Sequence, residues 1–368
     1  MISGCLAGFR VLDLSQYLPG PFAGQILADL GAQVVKVEPP AGDPMRGIGP
    51  SDPDGVSAYY RLVNAGKRVV RIDLKAEAGR AAFAELVSKA DVLLESYRPG
   101  MLARLGFDHA TLRELNPGLI HCALSGYGQS GPAAQKGGHD LNYMAWGGGL
   151  VSSGTAGRPV IAHPPVADYA GALQAVIAIL AALLRRERSG EGAFLDVSLA
   201  EAVLAWQGGI LTAALRGQAM TRGRDLLNGG AACYQIYETA DGRFVTLGAL
   251  EPKFWAAFCA AAGHPEWIAR QSEVLPQSDL IGEVAALFKG RDLAAWQAVL
   301  GEVDCCWQPV LEAEELLADP QARARGLLRR TGDLAEVLFP ALLDGAAAQP
   351  RAPLEEVEPE AALRSWRL

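Results

Sequence analysis

Two residues of this chain have the most chemistry to offer: His139, in the run Gly138-His139-Asp140-Leu141-Asn142-Tyr143, and Asp168. Histidine ordinarily changes charge around neutral pH, which makes it an adaptable general base. If an imidazole removes a proton from a carbon acid and a carboxyl on the opposite side returns one, a stereocentre is inverted. Gly137-Gly138, just ahead of the histidine, lets backbone approach a ligand closely. Plainer readings stand beside these. A lone histidine is more often structural than catalytic, and an aspartate before an apolar helix is commonly its N-cap. Glu251, before Pro252, reads as a carboxylate at a helix N-terminus. His121 reads as mid-strand and structural, His109 and His264 as exposed, and His163, before Pro164-Pro165, as a second-rank candidate.

The elements that must position these groups alternate strand and helix. Arg10–Leu14, Gln33–Glu38, Arg68–Leu74, Asp91–Tyr97 and Leu119–Gly126 read as strands, with a helix starting at Pro19-Gly20-Pro21 and another over Gly79–Ala90. That rhythm predicts right-handed crossovers and a doubly wound parallel sheet. An apolar helix follows from about Asp168 to Arg188, then strand Ala193–Leu199 and helix Ala200–Arg216. Its longest apolar run, Ala170 to Leu184, carries Gln174 and ends in Arg185-Arg186-Glu187-Arg188, so it is expected to be a buried core helix and not a membrane span. Residues 217–232, rich in Gly, Arg and Asn, read as a linker. Beyond them an Asp241-Gly242 turn between alternating runs predicts a hairpin and a smaller α+β domain over 233–308. Residues 309–368 begin with a helix predicted over Glu312–Leu328.

Composition narrows the function classes. The 368 residues are half apolar and one fifth charged, which suits a globular α/β enzyme of about two domains. The net charge of −8 argues against broad nucleic-acid binding. An anionic ligand would need a local basic cluster, and Lys67, Arg68, Arg71, Lys75 and Arg98 supply a candidate. Arg98, in Tyr97-Arg98-Pro99-Gly100, closes a strand at the carboxyl edge, where open α/β sheets bind ligands. The six cysteines show no zinc or CxxC spacing, and Cys305-Cys306 reads as two buried thiols, so a reducing, cytoplasmic setting is expected. Neither GxGxxG nor a P-loop is present, which speaks against nicotinamide and ATP sites.

Several segments together resemble the family III CoA-transferases (CaiB/BaiF): Val11-Leu12-Asp13-Leu14, Pro19-Gly20-Pro21, Ala28-Asp29-Leu30-Gly31-Ala32, Val35-Lys36-Val37-Glu38, Tyr97-Arg98-Pro99-Gly100, Ser125-Gly126-Tyr127-Gly128 and the stretch through Asp168. Gly138 to Tyr143 is similar to the GHDxNY motif of the alpha-methylacyl-CoA racemase branch. The resemblance implies a Rossmann-like large domain (1–216) completed by the C-terminal return (309–368), a smaller inserted domain, and an interlocked homodimer. It implies an acyl-CoA substrate, with coenzyme A entering as part of that substrate, and no separate cofactor, metal, nucleic acid or membrane. Carried onto this chain, His139 and Asp168 become the acid/base pair and Glu251 a support for the histidine. Ile72, Asp73, Leu74, Lys75, Gly138, Asp140, Leu141, Asn142 and Tyr143 line the CoA site. A 2-methylacyl-CoA would then be racemised through an enolate, whose oxygen would take hydrogen bonds from backbone N–H groups around Asp168. The alternative is CoA transfer between carboxylic acids with Asp168 as nucleophile. A third reading is a CoA-binding protein without catalysis. Pro39 stands where the racemases commonly carry an arginine, with Lys36 or Lys75 as possible replacements. Pro164 stands where they often carry an asparagine that orients the aspartate. Leu18 replaces the glutamine of formyl-CoA transferase, and Asn228-Gly229-Gly230 does not match that enzyme's glycine-rich loop.

Overall fold

The computed structural model describes residues 2–331 and 334–366. Short apolar runs of four to six residues, each followed by a helix or a turn, become the strands β1 (Arg10–Leu14), β2 (Gln33–Glu38), β3 (Arg68–Arg71), β4 (Val92–Glu95) and β5 (Ile120–Ser125). With Ala193–Ser198 and Glu355–Glu356 they form one seven-stranded sheet. Its order is Glu355–Glu356, β3, β2, β1, β4, β5, Ala193–Ser198, and every neighbouring pair is parallel. The chain steps outward from β1 to β3, then returns to lay β4 on the other side of β1. The progression therefore reverses between β1 and β4, and the crevice beyond the carboxyl ends of those two strands is where such sheets take ligands.

Both faces of the sheet are covered, so its central strands are buried on both sides. On one face Leu12, Leu14, Val35, Val37, Val70 and Leu93 pack with Phe83 and Leu86 of helix Glu77–Val87 and with Leu363 and Trp366 from the last helix. Helix Pro19–Asp29, with Pro21 in its first turn, packs against helix Val166–Ser189. The latter is apolar and long enough to cross a membrane by length and composition, but half of its apolar window is buried in the protein. Its buried face is small, Ala167, Ala170, Gly171, Ala172 and Ala175, which permits close packing. Leu173, Ile177 and Leu184 remain exposed on the other face, so the expected core helix is only half covered.

The described residues divide into two compact units. The first holds 2–147, 163–206, 318–331 and 334–366, and the second holds 148–162 and 207–317. Within the second, Tyr234–Glu238, Phe244–Gly248 and Trp307–Pro309 form an antiparallel sheet. Gly242, at φ 78°, takes the left-handed position of the hairpin turn. Trp255, Phe258, Phe288 and Trp296 fill that unit's core.

Several predicted elements differ, and three of the differences have a local cause. Strand β3 ends at Arg71, and Asp73 instead accepts from the Lys75 N–H in a turn at 2.9 Å. The helix predicted over Ala200–Arg216 is two, Leu199–Leu204 and Gly208–Leu215, with Gly208-Gly209 at the start of the second. The helix predicted over Glu312–Leu328 is also two, Ala313–Ala318 and Pro320–Arg325. Pro320 cannot continue the first, and Asp319 caps the second through the Ala322 N–H at 2.7 Å.

Candidate functional site

A cavity of about 750 Å³ opens at the carboxyl ends of the central strands. Gln16 and Tyr17 follow β1, Ser96 to Pro99 follow β4, and Ser125 and Gly126 close β5. His139 and Asp168 both line it, as do Arg98 and Lys136. His139 is the N-cap of helix Asp140–Trp146, and its backbone N–H donates to the Asn142 side-chain oxygen at 3.1 Å. Its ring is exposed and meets the Tyr17 ring edge-on, with centroids 6.4 Å apart.

Asp168 is not the N-cap of its helix. Pro165 is, and Asp168 lies inside the first turn. The cap is supplied from elsewhere: Asp140 Oδ1 accepts from the N–H groups of Ala167 (2.6 Å) and Asp168 (3.1 Å). Asp140 thus ties the histidine's helix to the aspartate's. It also accepts from two of the backbone N–H groups around Asp168, the region expected to serve an enolate oxygen. Burial, reinforced by the charge of Asp140, pushes the Asp168 carboxyl up to about 7, against the helix N-terminus, which favours an anion.

The remaining members of the Gly138–Tyr143 run hold the loop. The Tyr143 hydroxyl donates to the Gly138 carbonyl at 2.5 Å, and Tyr143 is buried. A Cβ on Gly138 would lie 2.8 Å from the Tyr143 ring, and one on Gly137 would lie 2.9 Å from Arg98 Nη2. These glycines therefore make room for protein side chains, a different reason from the close ligand approach expected. Leu141 and Asn142 are exposed.

The predicted basic cluster is mostly spent inside the fold. Lys67 is fully buried, paired with Asp13 at 2.9 Å and donating to the Pro21 carbonyl at 2.7 Å. Lys36 is fully buried too, paired with Asp43 at 2.9 Å, so it cannot replace the missing arginine at Pro39. Arg68 and Arg71 face Glu355 and Glu356. Ile72 and Leu74 point into the core, while Asp73 and Lys75 are exposed. Arg98 and Lys136 are the cations that line the cavity. Lys136, Tyr17 and Gln16 were missed from sequence, although Gln16 and Tyr17 directly follow β1, at the edge where a ligand is expected.

Other expected residues are not among those lining this cavity. Glu251 is the exposed N-cap of helix Pro252–Ala262 in the second unit. His109 and His163 are exposed, whereas His264 is half-buried and stacked on Trp267 with centroids 4.0 Å apart, a correction to its expected exposure. His121 is buried between His109 and Phe194, and burial pushes it down to about 4. These three line a smaller cavity of about 310 Å³ at the amino ends of β5 and Ala193–Ser198, the opposite end of the sheet from Asp168. Cys305 is buried as expected but Cys306 is exposed, and all six cysteines are free thiols.

The structure is thus a doubly wound parallel α/β sheet with a cavity at its switch point, lined by an imidazole and a carboxyl, the place where such sheets take ligands. The sequence model of CoA-transferase family III matches residues 6–355, and the chain belongs to that family. It is 35% identical to mouse alpha-methylacyl-CoA racemase, over 89% of this chain and 83% of the mouse protein. It is 34% identical to acetyl-CoA:oxalate CoA-transferase of Acetobacter aceti, over 89% of this chain and 86% of that one. Among solved structures, a CAIB/BAIF family protein from Brucella suis superposes with a TM-score of 0.85, at 29% identity and 98% coverage of both chains.

Proposed function

We propose that this protein is an acyl-CoA racemase that inverts a 2-methyl-branched acyl-CoA by 1,1-proton transfer between His139 and Asp168. The observation that carries the reading is that the His139 imidazole opens onto the same cavity as the Asp168 carboxyl, which burial pushes up to about 7. A carboxyl that exchanges its proton around pH 7 can act as acid in one direction and base in the other. One group breaks the α-carbon–hydrogen bond to leave an enolate, and the other forms a new bond from the opposite face. Arg98 and Lys136 supply positive charge at the cavity for the phosphates of coenzyme A. Glu251 is assigned a supporting role toward the histidine by the family resemblance. The active species is a homodimer, which would cover the exposed stripe of helix Val166–Ser189.

The test is incubation with a single epimer of a 2-methylacyl-CoA in heavy water. The expected result is α-deuterium in both epimers, lost on His139→Ala and reduced on the order of 10²–10⁴-fold by Asp168→Ala. Wild-type enzyme that incorporates no deuterium sinks the reading.

The nearly equal identity to a racemase and to a CoA-transferase supports a second reading. Here the Asp168 carboxylate attacks the thioester, expels CoA as thiolate and forms a mixed anhydride. CoA thiolate then attacks the aspartyl carbonyl to give an aspartyl thioester and the free acid. The acceptor carboxylate displaces the thiolate again to form a second mixed anhydride, and the thiolate attacks its acceptor carbonyl to give the new acyl-CoA and release the Asp168 carboxylate. Hydroxylamine added during turnover with a free-acid acceptor would trap Asp168 in this route and leave it unmodified in the first.

A further inference from the structure

Tyr17 is a bulky residue in the left-handed region, with φ 63°, a conformation that costs free energy for any side chain with a Cβ. Such strain persists only where the surroundings over-determine it, and here they do. The Tyr17 N–H donates to Asp43 Oδ1 at 3.1 Å, and the same oxygen takes the Met45 N–H at 2.9 Å. The other Asp43 oxygen pairs with Lys36 Nζ at 2.9 Å, both side chains fully buried. Lys36 Nζ also donates to the Ser15 carbonyl at 2.7 Å, two residues before Tyr17. The Ser15 N–H and hydroxyl both donate to Asp13, itself locked to Lys67. The Gln16 N–H donates to Ser96 Oγ at 3.0 Å, which ties the turn to the segment after β4.

This framework presents a large ring, 43% exposed, to the cavity wall, edge-on to His139. An exposed imidazole at a helix N-cap has rotamer freedom to lose, and an aromatic ring set against it restricts that freedom. We propose that Tyr17 is a positioning residue for His139, and that the buried Lys36–Asp43 pair serves the site by holding Tyr17 in its strained turn. The inference rests on the acid/base reading of His139 for its kinetic consequence, but the ring contact itself is independent of that reading. Proton abstraction from carbon is sensitive to misplacement of the base by an ångström, so the role falls on the chemical step and not on substrate affinity.

The experiment compares wild type, Tyr17→Ala and Tyr17→Phe by two readouts: α-deuterium exchange kinetics, and the Cε1–H resonance of His139 in the ligand-free protein, assigned with His139→Asn. Tyr17 is at the surface, so truncating its ring opens no core cavity, and circular dichroism checks each variant. Tyr17→Ala is expected to lower kcat about 10- to 100-fold with KM within about twofold. It should also shift the His139 resonance, and Tyr17→Phe should recover most of both. A raised KM with kcat and the resonance unchanged makes Tyr17 a simple pocket wall and overturns the proposal. So does an unmoved resonance alone. Absence of exchange in wild type sinks the racemase reading instead, and the His139 resonance then decides whether the ring contact exists.

Discussion

Asp168 and Asp140 are best considered as one unit at the residue scale. Burial raises the Asp168 carboxyl, and the charge of Asp140 raises it further, while the oxygen that Asp140 offers fixes the backbone on which Asp168 sits. Asp140→Asn keeps an acceptor for those N–H groups and removes the charge. The inflection of the pH–rate profile that belongs to Asp168 should therefore move to lower pH, measurable as kcat/KM from pH 5 to 9. The same raised carboxyl has a consequence for stability. Asp168 holds its proton more tightly in the folded than in the unfolded protein. Folding is therefore relatively favoured below the unfolded value near 3.8, and that advantage is lost as pH rises to about 7. Asp168→Asn should raise Tm at pH 8 and give no gain near pH 3.5, as thermal melts at the two pH values would show. Neither effect is legible in sequence, because Asp140 and Asp168 stand on different helices and the spacing does not tell that one carboxylate caps the other's helix.

At the scale of elements, the buried ion pairs under the site explain what sequence reading could and could not reach. The strands, their parallel pairing and the placement of Arg98 at a carboxyl edge followed from alternation, length and turn residues. The fate of Lys36 and Lys67 did not. A lysine is read by default as solvated, yet β2 is covered on both faces and Lys67 lies directly before β3. Burial alone would raise the Asp13 carboxyl, but the ammonium groups of Lys67 and Lys36 and the Ser15 hydroxyl bring it below its ordinary value. Burial pushes Lys67 down to about 8 against the pull of Asp13. Removing one member leaves the other charge uncompensated, so Lys67→Met should cost about 3–5 kcal/mol in urea unfolding. Replacing Lys67 and Asp13 together by apolar residues should cost much less.

The whole molecule bears on association. Leu173, Ile177 and Leu184 recur on one face of helix Val166–Ser189 at helical spacing, 49%, 59% and 64% exposed. An apolar stripe of this kind is the surface that the proposed homodimer would cover. Sedimentation of the wild type should show a dimer, and Ile177→Asp should shift it toward monomer without loss of helical circular dichroism. The sheet contains one more dependency. Its β3 edge is closed by Glu355–Glu356, and Trp366 completes the core beneath β1 and β2. Residues 68–71 thus wait, during synthesis, for residues 355–356 far along the chain. Until then β3 presents unpaired backbone to whatever strand is nearby. A premature stop just before residue 355 would spare every cavity residue and still leave an open, adhesive edge, so its expected defect is aggregation during synthesis and not a slow enzyme.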